Sequence, residues 1–140
     1  MGRSLASICL VLALLACRSD KPDAQVRRAF EACRQAVEAG DAATAGASLD
    51  PAFQGPEGMD RAAARLFLLG ALRRERVGAT VLRNEVAARG SEALQEVDLV
   101  LTGRGGGPWP EDLSHRSFRL RWHKVGGDWK LLEVQALDGR

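Results

Sequence analysis

The stretch FRLRWHKVGGDWKLLEVQ, residues 118–135, decides the fold. Phe118, Leu120 and Trp122 alternate with Arg119 and Arg121, a period of two that marks a half-buried strand rather than a helix. Glycines 126 and 127 interrupt it, and a second strand follows from Trp129 to Leu137. A two-residue Gly126-Gly127 turn would set Leu120 opposite Glu133, mixing core with charge. A three-residue loop, Gly126-Gly127-Asp128, sets Trp122 opposite Leu132, Leu120 opposite Val134 and Phe118 opposite Ala136. It also sets Arg121 opposite Glu133 on the outer face. The spacing therefore predicts the three-residue loop, with Trp129 and Leu131 facing outward.

The same parity test applies upstream. Thr80 to Ala87 and Ala93 to Thr102 alternate like strands, and Arg116 to Val125 completes a four-stranded run. Pairing about Arg89-Gly90 puts Leu82 opposite Val97 and Val86 opposite Ala93 on the inner face, with Arg83 opposite Glu96 outside. Asn84 then faces Gln95 on an otherwise apolar side, where two amides must find partners. Asn84, Gln95 and Trp122 are therefore the candidate pocket residues. Gly103 to Leu113 is read as a connection carrying Trp109 between two prolines, either a lid or membrane contact or a plug for one end of the core.

Before the strands come three helices. Val26, Phe30, Cys33 and Val37 fall on one face of a helix from Asp23 to Ala39, ended by Gly40 as a left-handed cap. Asp41 caps a short second helix to about Ser48, with Leu49 and Phe53 docking the turn after it. A third is expected from about Glu57 to Arg76, its apolar stripe formed by Met59, Ala63, Leu66, Phe67, Leu69 and Leu72. Arg73, Arg74 and Arg76 close it, where cations favour the helix dipole.

The amino-terminal run carries an address. Arg3 followed by the short apolar segment Leu5 to Ala16 has the form of a secretory signal, and it falls short of the ~20 residues a membrane-spanning helix needs. Leu14-Leu15-Ala16-Cys17 resembles the lipobox of bacterial lipoproteins, with Leu15 a less usual middle residue. That resemblance implies cleavage after Ala16 and lipid on Cys17, anchoring the protein to a membrane. An incidental Cys after an ordinary signal is the alternative. The expected organisation is a signal peptide at 1–16, a lipidated tether at 17–22 and one α+β domain at 23–138. From Arg18 to Lys21 the polar tether reaches ~15 Å when extended. Arg18, rather than Asp, after the Cys favours the outer membrane in a Gram-negative cell.

Composition closes several routes. The chain has 20 basic and 18 acidic residues, and only Arg3 of these lies in the signal. The remainder is close to neutral, which removes the electrostatic case for nucleic acid. Cys9 belongs to the signal and Cys17 to the anchor, so Cys33 is left unpaired and is expected to act as a small buried hydrophobe. His115 and His123 lack paired-ligand spacing, so no metal and no cofactor are expected.

Helices followed by a four-stranded meander, ending in Phe118-x-Leu120-x-Trp122-x-Lys124-x-Gly126-Gly127-Asp128-Trp129-Lys130-Leu131-Leu132, resemble the nuclear transport factor 2-like (cystatin-like, cone-shaped) superfamily. The likeness is strongest to small bacterial lipoproteins of unknown function. Gly40-Asp41 and Leu49-Asp50-Pro51-Ala52-Phe53 fit it too. The resemblance implies an α+β cone, with three helices on a curved four-stranded antiparallel meander sheet and often a pocket at the open end. Enzymes of that superfamily, such as ketosteroid isomerase-like and polyketide cyclase-like members, need an acid–base side chain inside the cone. Here there is no Tyr, and parity sends Glu85, Glu96, Asp98, Glu133 and His123 outward. The expectation is a non-catalytic, membrane-anchored domain that binds a small apolar ligand or an envelope protein. An isomerase or cyclase and a purely structural envelope component are the alternatives. Val81, Val100, Val125, Trp129 and Leu131 on the outer face leave a sheet-to-sheet homodimer open.

Overall fold

The computed structural model describes residues 21–104 and 115–137. The expectations for the signal, Cys17 and Trp109 lie outside the described residues. Helix α1 is Pro22–Glu38, with Pro22 in its first turn, where a missing N–H costs nothing. It ends in a Schellman arrangement. Gly40 sits at φ +73°, its N–H donates to the Val37 carbonyl, and the Asp41 N–H donates to that of Ala36. Asp41 then caps helix α2, Ala42–Ala47, by accepting the Thr44 N–H at 3.0 Å. Helix α3, Arg61–Arg74, starts later than the spacing suggested because Asp60 caps it through the Ala63 N–H.

The sheet has five strands, not four. Strand β1, Leu49–Gln54, pairs in parallel with β5, Asp128–Ala136. Strands β2 (Arg76–Arg89), β3 (Glu92–Arg104) and β4 (His115–Val125) complete the order β1-β5-β4-β3-β2. The expected all-antiparallel meander is thus a mixed sheet. The sequence of β1 hides it, because Asp50 and Pro51 are poor strand formers. Proline lacks the ladder N–H and is confined to edges, which is where β1 lies.

Both hairpins depart from simple parity for one physical reason. The β4–β5 turn is the two-residue Gly126-Gly127, with both residues at positive φ as a type I′ turn requires. Trp122 therefore stands opposite Leu131, not Leu132. A bulge then admits Leu132 as an extra residue, so Arg121 still meets Glu133, Leu120 meets Val134 and Phe118 meets Ala136. Trp129 and Leu131 consequently face inward and are buried, reversing the expected outer placement.

The β2–β3 turn is Gly90-Ser91, which shifts the register by two residues and so preserves faces. Arg83 stands opposite Asp98, Asn84 opposite Val97 and Val86 opposite Gln95. A second bulge expels Leu82 to solvent and turns Val81 inward against the core.

The core joins Val26 and Phe30 of α1 to Leu49 and Phe53 of β1 and Ala64 of α3. Ala93 and Val97 of β3, Leu120 and Trp122 of β4, and Trp129 and Leu131 of β5 fill the inner face of the sheet. Leu66, placed on the apolar stripe of the third helix by its spacing, is not among them. Helix α3 turns Ala64 inward and leaves Leu66 70% exposed, so Leu66, Phe67 and Leu69 of the expected stripe face solvent, while Met59 packs against the core. Helix α1 also shields the free edge of β2. The Asp23 carboxylate accepts the Ala88 N–H, Glu38 accepts the Ala79 N–H, and Arg34 donates to the Ala79 carbonyl.

Candidate functional site

Asn84, Gln95 and Trp122 come together, by a different geometry from the one expected. The Trp122 indole Nε1 donates to Gln95 Oε1 at 2.8 Å. Gln95 Nε2 in turn donates to Asn84 Oδ1, also at 2.8 Å. Gln95 and Asn84 are not directly opposite but offset by the two-residue register shift. The chain runs outward from buried Trp122 and Gln95, which is 0% exposed, to half-buried Asn84. Each buried polar atom named here is used once, which is the condition for tolerating amides in a core. With its oxygen committed inward, Asn84 keeps its amide nitrogen as the outermost donor. That nitrogen makes no hydrogen bond among the described residues.

A second polar pair was missed by sequence reasoning. Asp50, in β1, is buried, and its Oδ2 lies 3.6 Å from Nδ1 of His123 on β4. Its Oδ1 accepts the Ala52 N–H at 2.8 Å, the turn geometry that Asp before Pro favours. The signal available was the Asp50-Pro51 dipeptide, but only the parallel docking of β1 reveals that it reaches His123. This pair lies on the outer side of the sheet, away from Trp122.

The rest of that outer face is a lattice of ion pairs. Arg83 bridges Asp98 and Glu96, Arg119 holds Glu96, and Arg121 meets Glu133. The Arg83 guanidinium, then Ser117, hold the Asp98 carboxyl below the usual carboxylate range, and Arg119 does so for Glu96. Burial pushes the Cys33 thiol up, in keeping with a packing role.

Three grooves are lined by described residues, and none of the three includes Asn84, Gln95 or Trp122. The largest, about 520 Å³, runs between the end of α1 and the start of β2, past Glu38, Gly78, Thr80 and Thr102. Of its charged lining residues, Glu38 is engaged with the β2 edge, where it accepts the Ala79 N–H. Among the described residues no group of His, Cys, Asp and Glu could hold a metal ion.

No family model matches the sequence, and no curated protein matches it. Solved structures do. A provisionally described dehydratase of the NTF2-like family from Streptomyces avermitilis superposes with a TM-score of 0.68 at 18% identity, covering 81% of this chain and 93% of that one. The fold is nuclear transport factor 2-like. Rv3472 of Mycobacterium tuberculosis, of unknown function, shares this nuclear transport factor 2-like arrangement at a TM-score of 0.68 and 12% identity, over 83% of this chain and 75% of that one. Bd1075 of Bdellovibrio bacteriovorus matches at 0.67 and 14% identity over 79% of this chain, which spans only 39% of that longer protein. Identities this low establish the nuclear transport factor 2-like fold and carry no activity with it.

Proposed function

We propose that this chain is a lipid-anchored, non-catalytic protein of the bacterial envelope whose nuclear transport factor 2-like domain holds a small apolar ligand against Asn84. The observation that carries the ligand reading is the Asn84 amide nitrogen. It is the uncommitted end of a chain whose other members are satisfied, and it sits on a strand face otherwise lined by Val81, Val86, Val97 and Leu99. Such a site would recognise a largely apolar molecule with one hydrogen-bond acceptor. An envelope protein presenting an apolar side chain and a carbonyl is the alternative occupant.

The anchor reading is supported by Leu14-Leu15-Ala16-Cys17 at the end of the apolar run. Acyl chains on Cys17 would hold the domain at the membrane, the outer one if the cell is Gram-negative. A catalytic reading could draw on Asp50 and His123, an acid–base pair that lies across the sheet from the amides.

Native mass spectrometry of the full chain purified from its own envelope tests the ligand reading. A bound small molecule retained by the wild type and lost in Asn84→Leu is the expected result. A wild type with no added mass, or an Asn84→Leu variant that keeps it, would overturn the reading. Palmitate labelling tests the anchor separately, because Cys17→Ser is expected to abolish both incorporation and processing.

A further inference from the structure

Helix α3 is built unlike a helix that only packs on a sheet. Its inward face is small, with Ala64 the buried position. Leu68 and Leu72 are half-buried, and three large apolar residues are exposed: Leu66 at 70%, Phe67 at 53% and Leu69 at 41%. Isolated surface leucines need no explanation, but three large apolar side chains within four residues of one helix form a patch. The same helix, Arg61–Arg74, contains four arginines and no acidic residue. Arg73 and Arg74 in the last turn complement the helix dipole. Arg61, in the first turn, does not, because the amino-terminal end of a helix disfavours cations; Arg65 lies back against α2, its guanidinium donating to the Gly46 carbonyl at 3.5 Å. Asp60, the nearest acid before the helix, is engaged with the Ala63 N–H.

We infer that the outer face of α3 is a membrane-docking surface for anionic lipid. Leu66, Phe67 and Leu69 would enter the boundary between headgroups and acyl chains, with Arg73 and Arg74 meeting lipid phosphates. Apolar residues flanked by arginine, without intervening acids, suit the boundary between anionic headgroups and acyl chains. Charge decides between occupants. A second copy of α3 would bring four like charges against four, whereas an anionic bilayer neutralises them. The inference goes beyond the acyl anchor and does not require it. With the anchor in place, docking of α3 would supply the second attachment and fix the orientation of the domain on the membrane.

The test places an environment-sensitive fluorophore (NBD) on Phe67→Cys in the full chain, with Cys9, Cys17 and Cys33 replaced by Ser. A matched label on Ala87→Cys reports the opposite side of the molecule. Vesicles of phosphatidylethanolamine with phosphatidylglycerol are expected to shift the residue-67 label to shorter wavelength and leave the residue-87 label unchanged. Pure phosphatidylcholine vesicles should produce a much weaker shift at residue 67. In the same background labelled at residue 69, Leu66→Ser/Phe67→Ser should weaken the response about tenfold or more, and Arg73→Gln/Arg74→Gln should remove its dependence on phosphatidylglycerol. No response to anionic vesicles at residue 67 would overturn the inference, as would equal responses at 67 and 87. A residue-67 label already in apolar surroundings without lipid would also overturn it. Dependence of that signal on protein concentration would then identify a second copy as the occupant, and independence a segment of the same chain. None of these outcomes depends on acylation, so the anchor and the docking face stand or fall separately.

Discussion

Trp122 and Gln95 form one buried hydrogen-bonded unit, with the indole Nε1 donating to the glutamine Oε1 at 2.8 Å and both side chains almost wholly excluded from water. Replacing Gln95 by Leu would leave the indole N–H without its acceptor in the core. The expected cost is ~1–3 kcal/mol, the penalty of an unsatisfied buried donor. Trp122→Phe removes the donor, so the Trp122→Phe/Gln95→Leu double variant should lose less than the sum of the single losses. Denaturant unfolding of the four proteins measures the coupling. Additive losses would mean that the bond contributes nothing to specifying the core.

Trp129→Ala should be nearly as damaging as Trp122→Ala. Both rings belong to the core cluster, and truncating a buried aromatic costs ~3–5 kcal/mol. Trp129→Phe should cost less, losing part of the ring and the 3.0 Å hydrogen bond to Gln25 Oε1. Thermal unfolding of the monomer is the measurement. A mild Trp129→Ala variant beside a severe Trp122→Ala variant would return Trp129 to the outer face.

Two glycine substitutions should act in opposite directions. Gly70 lies inside α3, and an added Cβ would meet nothing within 4 Å. Gly70→Ala should therefore stabilise the domain by ~0.5–1 kcal/mol through the unfolded chain's lost freedom. Gly127 sits at φ +86° in the β4–β5 turn, so Gly127→Ala should destabilise by ~1–2 kcal/mol although it too meets no neighbour. Equal signs in a paired melting experiment would contradict the turn assignment.

Acid should weaken the fold through carboxylates held by arginine. The carboxyls of Glu31, Glu96 and Asp98 are lowered, each first by a hydrogen bond, from Arg34, Arg119 and Arg83 respectively. As pH falls, the unfolded chain takes up these protons first. The stabilisation they give is complete above the ordinary carboxylate values near ~4 and is lost through the lower folded values. The melting temperature should stay level from neutral pH to about 5 and then fall. In Arg83→Gln/Arg119→Gln the acid decline should be shallower, and high salt should shrink the difference because these pairs are exposed. A steeper decline in the variant would reverse the sign of the argument.

Local chemistry alone determined a good deal of this protein. The 4-3-4 spacing from Val26 to Val37, the left-handed Gly40 and the Asp41 cap are decided within one or two helical turns, so their reading survives folding. The alternation along β3 and β4 likewise places Gln95, Leu120 and Trp122 on the inner face before any partner strand is known. The Arg121–Glu133 pairing was legible for a different reason, since a bulge restored the register that a longer loop would have produced.

Tertiary structure decided the rest. Bulges at Leu82 and Leu132 each reset a strand's parity, and a bulge has no local signature when its extra residue is as apolar as its neighbours. The burial of Trp129 and Leu131 depends on that reset. Strand β1 exists because β5 offers it an edge, not because Asp50 and Pro51 favour extension. On α3 the apolar residues surround much of the helix, so the pattern cannot say which side meets the sheet; Ala64 does so because a small residue permits close approach. The amides were legible as two polar groups on an apolar face, but their union with Trp122 required three strands in register, a relationship between residues far apart in sequence.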